Sequence, residues 1–180
     1  MDKKMSDKFS KLQLDDLISQ DKSTLDQWFL AGETPTIGEI NGITNGRVLS
    51  GITVLESDVV RTLVNRSWLP WQGKTFFPIN DEAGKGVNRL KVGPVKRDKF
   101  EFTTTIIPAL VGDKPVFSLN YDHPHNPWYI RPIRDDLKKL KDGLFLGTAN
   151  VRLREEYHFV LYFALELASL AGINKTSSAD

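Results

Sequence analysis

Residues 133–153, with the sequence IRDDLKKLKDGLFLGTANVRL, decide the fold class of this protein. The first half fits one helical turn or a strand that ends in a turn, and the second half, 144–153, alternates as a strand does. One face of that strand carries Gly147 and Ala149, where a fully packed strand would carry bulkier side chains. A strand glycine leaves room for a neighbouring side chain, for a bend or for a ligand. We predict a sheet with a cavity beneath Gly147 and Ala149.

Alternation with a period of two continues along the chain from Trp71 onwards. Segments 73–79 and 86–92 flank a stretch rich in turn residues and predict a hairpin. Residues 158–167 are apolar on every side and fit a buried helix or a strand, but their aromatic and β-branched side chains favour the strand. Further strands are predicted over 99–110, 114–122 and 144–153. Short strands with hairpin-like connections indicate an antiparallel meander.

The chain before Pro70 has helical character. Apolar side chains recur at helical spacing within the first 33 residues, and the strongest helical pattern covers 53–68. A chain of 180 residues is long enough for one domain with a single core. We divide this domain into a helical N-terminal segment (1–45), a β-barrel (46–167) and a tail (168–180).

Composition excludes several classes of protein. The chain carries 24 basic and 23 acidic side chains, a net charge of +1, and so lacks the basic surface expected of a nucleic-acid-binding protein. It has no cysteine, which excludes a disulfide scaffold, a thiolate metal site and a cysteine nucleophile. No segment resembles a signal peptide or reaches the length of a membrane span. A cytoplasmic protein is expected.

Aromatic and basic side chains combine at one predicted end of the barrel. Trp71 and Lys74 lie on one strand and Arg89 on its hairpin partner, a combination that suits an apolar ligand with an acidic head. The alternative is that the tryptophan closes the barrel and the lysine extends into solvent. The predicted ligand-binding residues are Trp71, Lys74, Arg89, Tyr121, Arg134, Gly147 and Ala149.

A short proline-rich loop contains residues that could bind a metal ion. Asp122, His123 and His125 are possible ligands, and the His-x-His spacing places both rings on one side of an extended chain. A site needs at least one further ligand, and His158 is the remaining histidine. The prolines around these residues favour a polar surface loop. We expect no metal ion and no cofactor.

Three segments together resemble a known group of proteins. IRDDLKKLKDGLFLGTANV (133–151), WQGKTF (71–76) and GVNRL (86–90) are similar to segments of small, uncharacterised bacterial calycin-like, or lipocalin-like, proteins. The resemblance covers 46–167, although the Gly-x-Trp motif of lipocalins is missing. It implies an antiparallel lipocalin-like (calycin) barrel with an internal cavity. Combined with the residue patterns above, the predicted fold is mainly β, with helices at the N-terminus. It implies no catalytic residue.

Three functions fit these observations. The leading hypothesis is a barrel that binds a small, largely apolar molecule, lipid-like or fatty-acid-like. The second is a lyase or isomerase that uses Arg134, Asp135, Tyr121 or His123 for acid–base chemistry in the same cavity. The third is a filled barrel with a structural or partner-binding role. No catalytic motif such as a nucleophile elbow or a phosphate-binding loop is present, which places the enzyme second.

Overall fold

The computed structural model describes residues 3–49 and 71–171, and within them eight strands form a closed antiparallel barrel. Each strand pairs with its neighbours in sequence, and the last strand closes the barrel against the first. The strands are β1 (Gly42–Val48), β2 (Trp71–Pro78), β3 (Ala83–Val92), β4 (Val95–Ile107), β5 (Val116–Asn120), β6 (Ile133–Lys141), β7 (Leu144–Leu153) and β8 (Glu156–Leu167). The predicted mainly β, antiparallel barrel is confirmed.

Short helices precede the barrel, and one follows it. They are α1 (Lys3–Ser10), α2 (Lys22–Ala31) and α3 (Ala168–Ala171), with 3₁₀ turns at Leu14–Leu17 and Ile37–Glu39. The Asp21 carboxylate accepts a hydrogen bond from the backbone N–H of Thr24 and so caps the start of α2. The helix predicted over 53–68 lies outside the described residues. The first strand starts at Gly42 rather than at residue 46.

Strands β7 and β8 separate two hydrophobic cores. Inside the barrel, Phe145 and Val151 pack with Phe163, whereas Leu146 and Ala164 point outward beneath the N-terminal helices. Side chains of α1 and α2 complete this outer core, and the rings of Phe9 and Trp28 lie edge to face. Because both faces of β8 are buried, its sequence is apolar on every side. The ambiguity between helix and strand over 158–167 is therefore resolved in favour of the strand.

An irregularity in β2 directs two of its side chains into the barrel. Trp71 pairs with Leu90 and Gly73 with Arg89, so Gln72 is an extra residue in the ladder. Gly73 has a φ of 131°, and a Cβ there would lie 2.2 Å from the Thr44 carbonyl oxygen of β1. Only glycine permits this close approach. The bulge brings the side chains of Trp71 and Lys74 to the same cavity, although an odd number of positions separates them.

A second bulge lies in β4, where this strand pairs with β3. Val87 pairs with Glu101 and Asn88 with Lys99, which leaves Phe100 as the extra residue. Phe100 has a φ of 59°, a left-handed conformation that non-glycine residues rarely adopt. Its side chain borders the same cavity as Trp71. The two bulges thus shape one end of the barrel interior.

Candidate functional site

The barrel encloses a cavity of about 50 Å³ with mostly apolar walls. Trp71, Leu90, Phe100 and Ile133 are only partly buried, and therefore this end of the cavity borders solvent. The deeper walls are aliphatic and aromatic, and include Ile130, Ala149, Val151, Val160 and Phe163. Polar side chains also reach the cavity, namely Lys74, Asn88, Tyr121, Asp135 and Asn150. An apolar cavity with a few convergent polar groups is the usual form of a small-molecule site.

A buried ion pair forms the centre of the polar wall. The Lys74 ammonium donates to Asp135 Oδ2 at 2.9 Å, and the two side chains are 4% and 5% exposed. The ammonium also donates to Asn88 Oδ1 at 2.9 Å and to Tyr121 Oη at 2.5 Å. Lysine offers three N–H donors, and three acceptors meet them here.

Further hydrogen bonds hold the partners of Lys74 in place. The Tyr121 hydroxyl donates to Asp135 Oδ2 at 2.9 Å, and Asn88 Nδ2 donates to Tyr121 Oη at 3.1 Å. Asn88 Nδ2 also lies 3.3 Å from the carbonyl oxygen of Phe100, while Trp71 Nε1 donates to Asn88 Oδ1 at 3.0 Å. Asn88 therefore connects Trp71 and Phe100, at the end of the cavity, to the ion pair, which gives the polar wall a fixed geometry.

The surroundings of Lys74 oppose its charge as well as stabilise it. Burial lowers the pKa of Lys74 below its ordinary value, and the Asp135 carboxylate counteracts this shift. Four aromatic rings, those of Trp71, Phe102, Tyr121 and Phe163, have centroids 5.2–5.5 Å from Nζ and add cation–π attraction. Burial, followed by the nearby Asp135 charge, raises the pKa of Tyr121 well above its ordinary value. Tyr121 is therefore a neutral hydroxyl at physiological pH.

The structure brings together four of the seven predicted ligand-binding residues. Trp71, Lys74, Tyr121 and Ala149 all line the cavity. The other three, Arg89, Arg134 and Gly147, are not among the residues that line it.

The two arginines have other partners. The Arg89 guanidinium donates to the Thr44 carbonyl oxygen at 2.9 Å, so it is held against β1. The Arg134 guanidinium pairs with Asp136 at 2.8 Å and donates to the Pro108 carbonyl oxygen. The buried ion pair of the cavity therefore joins Asp135 to Lys74, and not to Arg134.

The prediction of a cavity beneath Gly147 is wrong. A Cβ at Gly147 would lie 2.4 Å from Phe163 Cζ and 2.6 Å from Leu137 Cδ2. Phe163 is also the residue paired with Gly147 across β7 and β8. The missing side chain is thus replaced by an aromatic neighbour and not by a ligand, whereas Ala149, two residues further along, does face the cavity.

Sequence reasoning missed the contribution of Asn88 and gave Asp135 a role only in the enzyme hypothesis. Both positions carry a detectable signal. Asp135 lies between Ile133 and Leu137 at a spacing of two, so alternation alone places its carboxylate on the inner face of β6. Asn88 shares the inner face of β3 with Leu90. A polar residue on an apolar strand face is the pattern that would have identified both.

Comparisons with known proteins give a fold and no family. No protein-family model matches the sequence. No curated protein matches it either. The crystal structure of a protein from Thermomonospora curvata superposes with a TM-score of 0.57 at 15% sequence identity, covering 91% of this chain and 97% of that chain. Among the described residues, no helix is long and apolar enough to cross a membrane. The likeness in structure concerns the fold alone.

Proposed function

We propose that this protein binds a small, uncharged and largely apolar molecule inside a calycin-like barrel, with a hydrogen-bonding group of the ligand against the Lys74–Asp135 pair. The observation that carries the proposal is the combination of an apolar cavity with one buried polar wall. Eight-stranded barrels have an interior just wide enough to be filled by side chains or to hold one small ligand. A cytoplasmic location, as expected from the sequence, remains part of the proposal.

The size of the cavity limits the ligand. Its volume of about 50 Å³ is well below the roughly 150 Å³ of an engineered cavity that binds benzene. A ligand of a few non-hydrogen atoms suits this space, whereas a fatty-acid chain requires that partly buried residues such as Trp71 and Phe100 move aside. We therefore replace the lipid-like ligand inferred from the sequence by a smaller one.

The charge of the cavity supports an uncharged ligand. Among the described residues that line the cavity, Lys74 is the one cation, and its three N–H donors are already used. An acidic head would lie beside the Asp135 carboxylate and repel it. A hydroxyl group can donate a hydrogen bond to an oxygen of the polar wall without adding a buried charge.

The test is an NMR titration with three probes of equal chain length and different charge: n-butanol, n-butyrate and n-butylammonium. The reporter is the indole N–H resonance of Trp71, because this group donates to Asn88 within the polar wall. We expect n-butanol to shift this resonance in a saturable manner and the two ions to leave it unchanged. Equal shifts from all three probes, or no saturable shift from any, would overturn the proposal.

Two alanines on neighbouring strands provide a matched pair of variants. Ala149→Val adds two methyl groups on the cavity side of β7, so butanol binding should disappear with little loss of stability. Ala164→Val adds the same groups to the outer core beneath the helices, where overpacking should cost about 1–3 kcal/mol and leave binding intact. Loss of binding in both variants, or in neither, would contradict the position of the site.

The same polar wall supports an isomerase as the second candidate. The Asp135 carboxylate lies beside the Lys74 ammonium and the Tyr121 hydroxyl, which places a possible base next to two hydrogen-bond donors at one point of the cavity. Arg134 and His123 do not line the cavity, so they are no longer candidates for the acid–base groups. The test is deuterium exchange from D₂O into the α-carbon of butanone. Exchange that is abolished by Asp135→Asn would favour the isomerase, and exchange no faster than in buffer would exclude it for this probe.

A further inference from the structure

Three side chains from two distant parts of the chain meet on the outside of the barrel. Glu101 belongs to β4, and His123 and His125 belong to the loop that follows β5. One possible ligand atom from each residue lies within 4.8 Å of the other two. We infer that these residues form a binding site for one divalent transition-metal ion, with Zn²⁺ as the reference ion.

This inference revises the expectation drawn from the sequence. Asp122 was considered with the two histidines, but its carboxylate pairs with Arg131 at 2.7 Å. The missing third ligand is Glu101, which strand pairing brings to the loop and which sequence spacing does not reveal. Imidazole and carboxylate groups are the ligands that Zn²⁺, Co²⁺ and Ni²⁺ accept most readily after thiolates.

The distance between the ligand atoms is close to that of a metal site. His123 Nε2 and Glu101 Oε2 are 3.7 Å apart, too far for a hydrogen bond. Two ligand atoms bonded tetrahedrally to zinc at about 2.0–2.1 Å are roughly 3.3–3.4 Å apart. His123 Nδ1 faces the backbone N–H of His125 at 3.4 Å, so Nε2 is the nitrogen directed to Glu101. The ligand atom of His125 lies within 4.8 Å of both.

The backbone that carries the ligands is already fixed. The side-chain amide of Asn126, 7% exposed, donates to the carbonyl oxygens of Glu101 at 2.7 Å and Tyr121 at 2.8 Å. The backbone N–H of His123 donates to the Tyr121 carbonyl, and that of Asn126 to the His123 carbonyl. One buried amide therefore fixes the loop to β4, and binding requires the ordering of three side chains without a change of fold.

The solvent exposure of the ligand side chains determines what can fill the fourth coordination position of the metal ion. The side chain of Glu101 is 57% exposed and that of His123 is 35% exposed. Water can therefore take a fourth position, which gives the three-ligand arrangement of an open zinc site. Because a bound imidazole must be neutral, acid should displace the metal.

Isothermal titration of the untagged full-length chain with Zn²⁺ tests the inference. The expected result is one ion per chain, with affinity reduced roughly tenfold or more in His123→Ala and in Glu101→Gln. His158→Ala is the matched control, since this third histidine lies on β8 opposite Val151 and should leave affinity unchanged. Substitution of Co²⁺ should give the strong visible absorption of a four-coordinate ion.

Each other outcome counts against the site. Absence of stoichiometric binding by the wild-type chain, or equal weakening by His158→Ala, would overturn the inference. Loss of affinity in His123→Ala with full affinity in Glu101→Gln would reduce the site to a histidine pair and also overturn it. Glu101→Gln keeps an exposed side chain of the same shape, so thermal melts without metal should match the wild type and separate lost binding from lost folding.

Discussion

Replacement of Lys74 by methionine tests whether the polar wall is one coupled unit. Methionine is similar in length and apolar, and it should fit among the four aromatic rings that surround Nζ. The variant leaves Asp135 as a buried carboxylate that, among the residues the structure describes, keeps the Tyr121 hydroxyl as its side-chain donor. Removal of one partner of a buried ion pair destabilises a protein by about 3–5 kcal/mol. We expect a value near the lower limit because Tyr121 still donates.

The assay is urea unfolding at neutral pH of the wild type, Lys74→Met, Asp135→Asn and the double variant. The double variant removes both charges and keeps an acceptor for Tyr121, so its loss of stability should be smaller than the sum of the single losses by about 2–3 kcal/mol. For a chain of this size, Lys74→Met should lower Tm by roughly 6–12 °C. A loss below about 1 kcal/mol, or additive effects in the double variant, would refute the coupling.

The remaining predictions concern Gly147 and Lys138. Gly147→Ala should destabilise the fold by about 1–3 kcal/mol through overpacking against Phe163 and Leu137. A thermal melt with an unchanged Tm would instead support a cavity beneath Gly147. Burial, aided by the nearby Lys114 charge, lowers the pKa of Lys138 to about 8, and an NMR titration of its Cε resonance should show a midpoint there. Because this pKa is below that of the unfolded chain, the stability that Lys138 contributes should increase as the pH rises from about 8 to about 10.4 and should stay at its lower value below pH 8, in urea unfolding series compared with Lys138→Met.

The order and direction of most strands followed from the alternation of residue types. Residues 144–153 show two distinct faces because polarity grows along one of them, from Leu144 to Arg152, while the other carries only apolar or small side chains. Residues 158–167 remained ambiguous from sequence because both faces of β8 are covered by apolar groups. Alternation of apolar and polar residues reveals a strand only when its two faces have different surroundings, and it is absent when both faces contact apolar groups.

The site was less predictable because it depends on register and on bulges. Trp71 and Lys74 were selected for their chemistry, but alternation alone would place them on opposite faces. The extra residue at Gln72 reverses that relation. Gly147 was misjudged because a small residue in one strand does not reveal what lies opposite, and the register places Phe163 there. Cross-strand partners of this kind are fixed by the closed barrel and cannot be read from one strand.

A xenon-pressurised crystal structure tests the central claim most directly, since xenon enters apolar cavities and reveals their position. The account predicts one xenon atom inside the barrel, in contact with Ala149 and Val160 and on the apolar side of the Lys74–Asp135 pair. The same experiment on Ala149→Val should show none. Xenon absent from the wild-type barrel, with ordered water bound along the polar wall instead, would contradict a site for an apolar ligand.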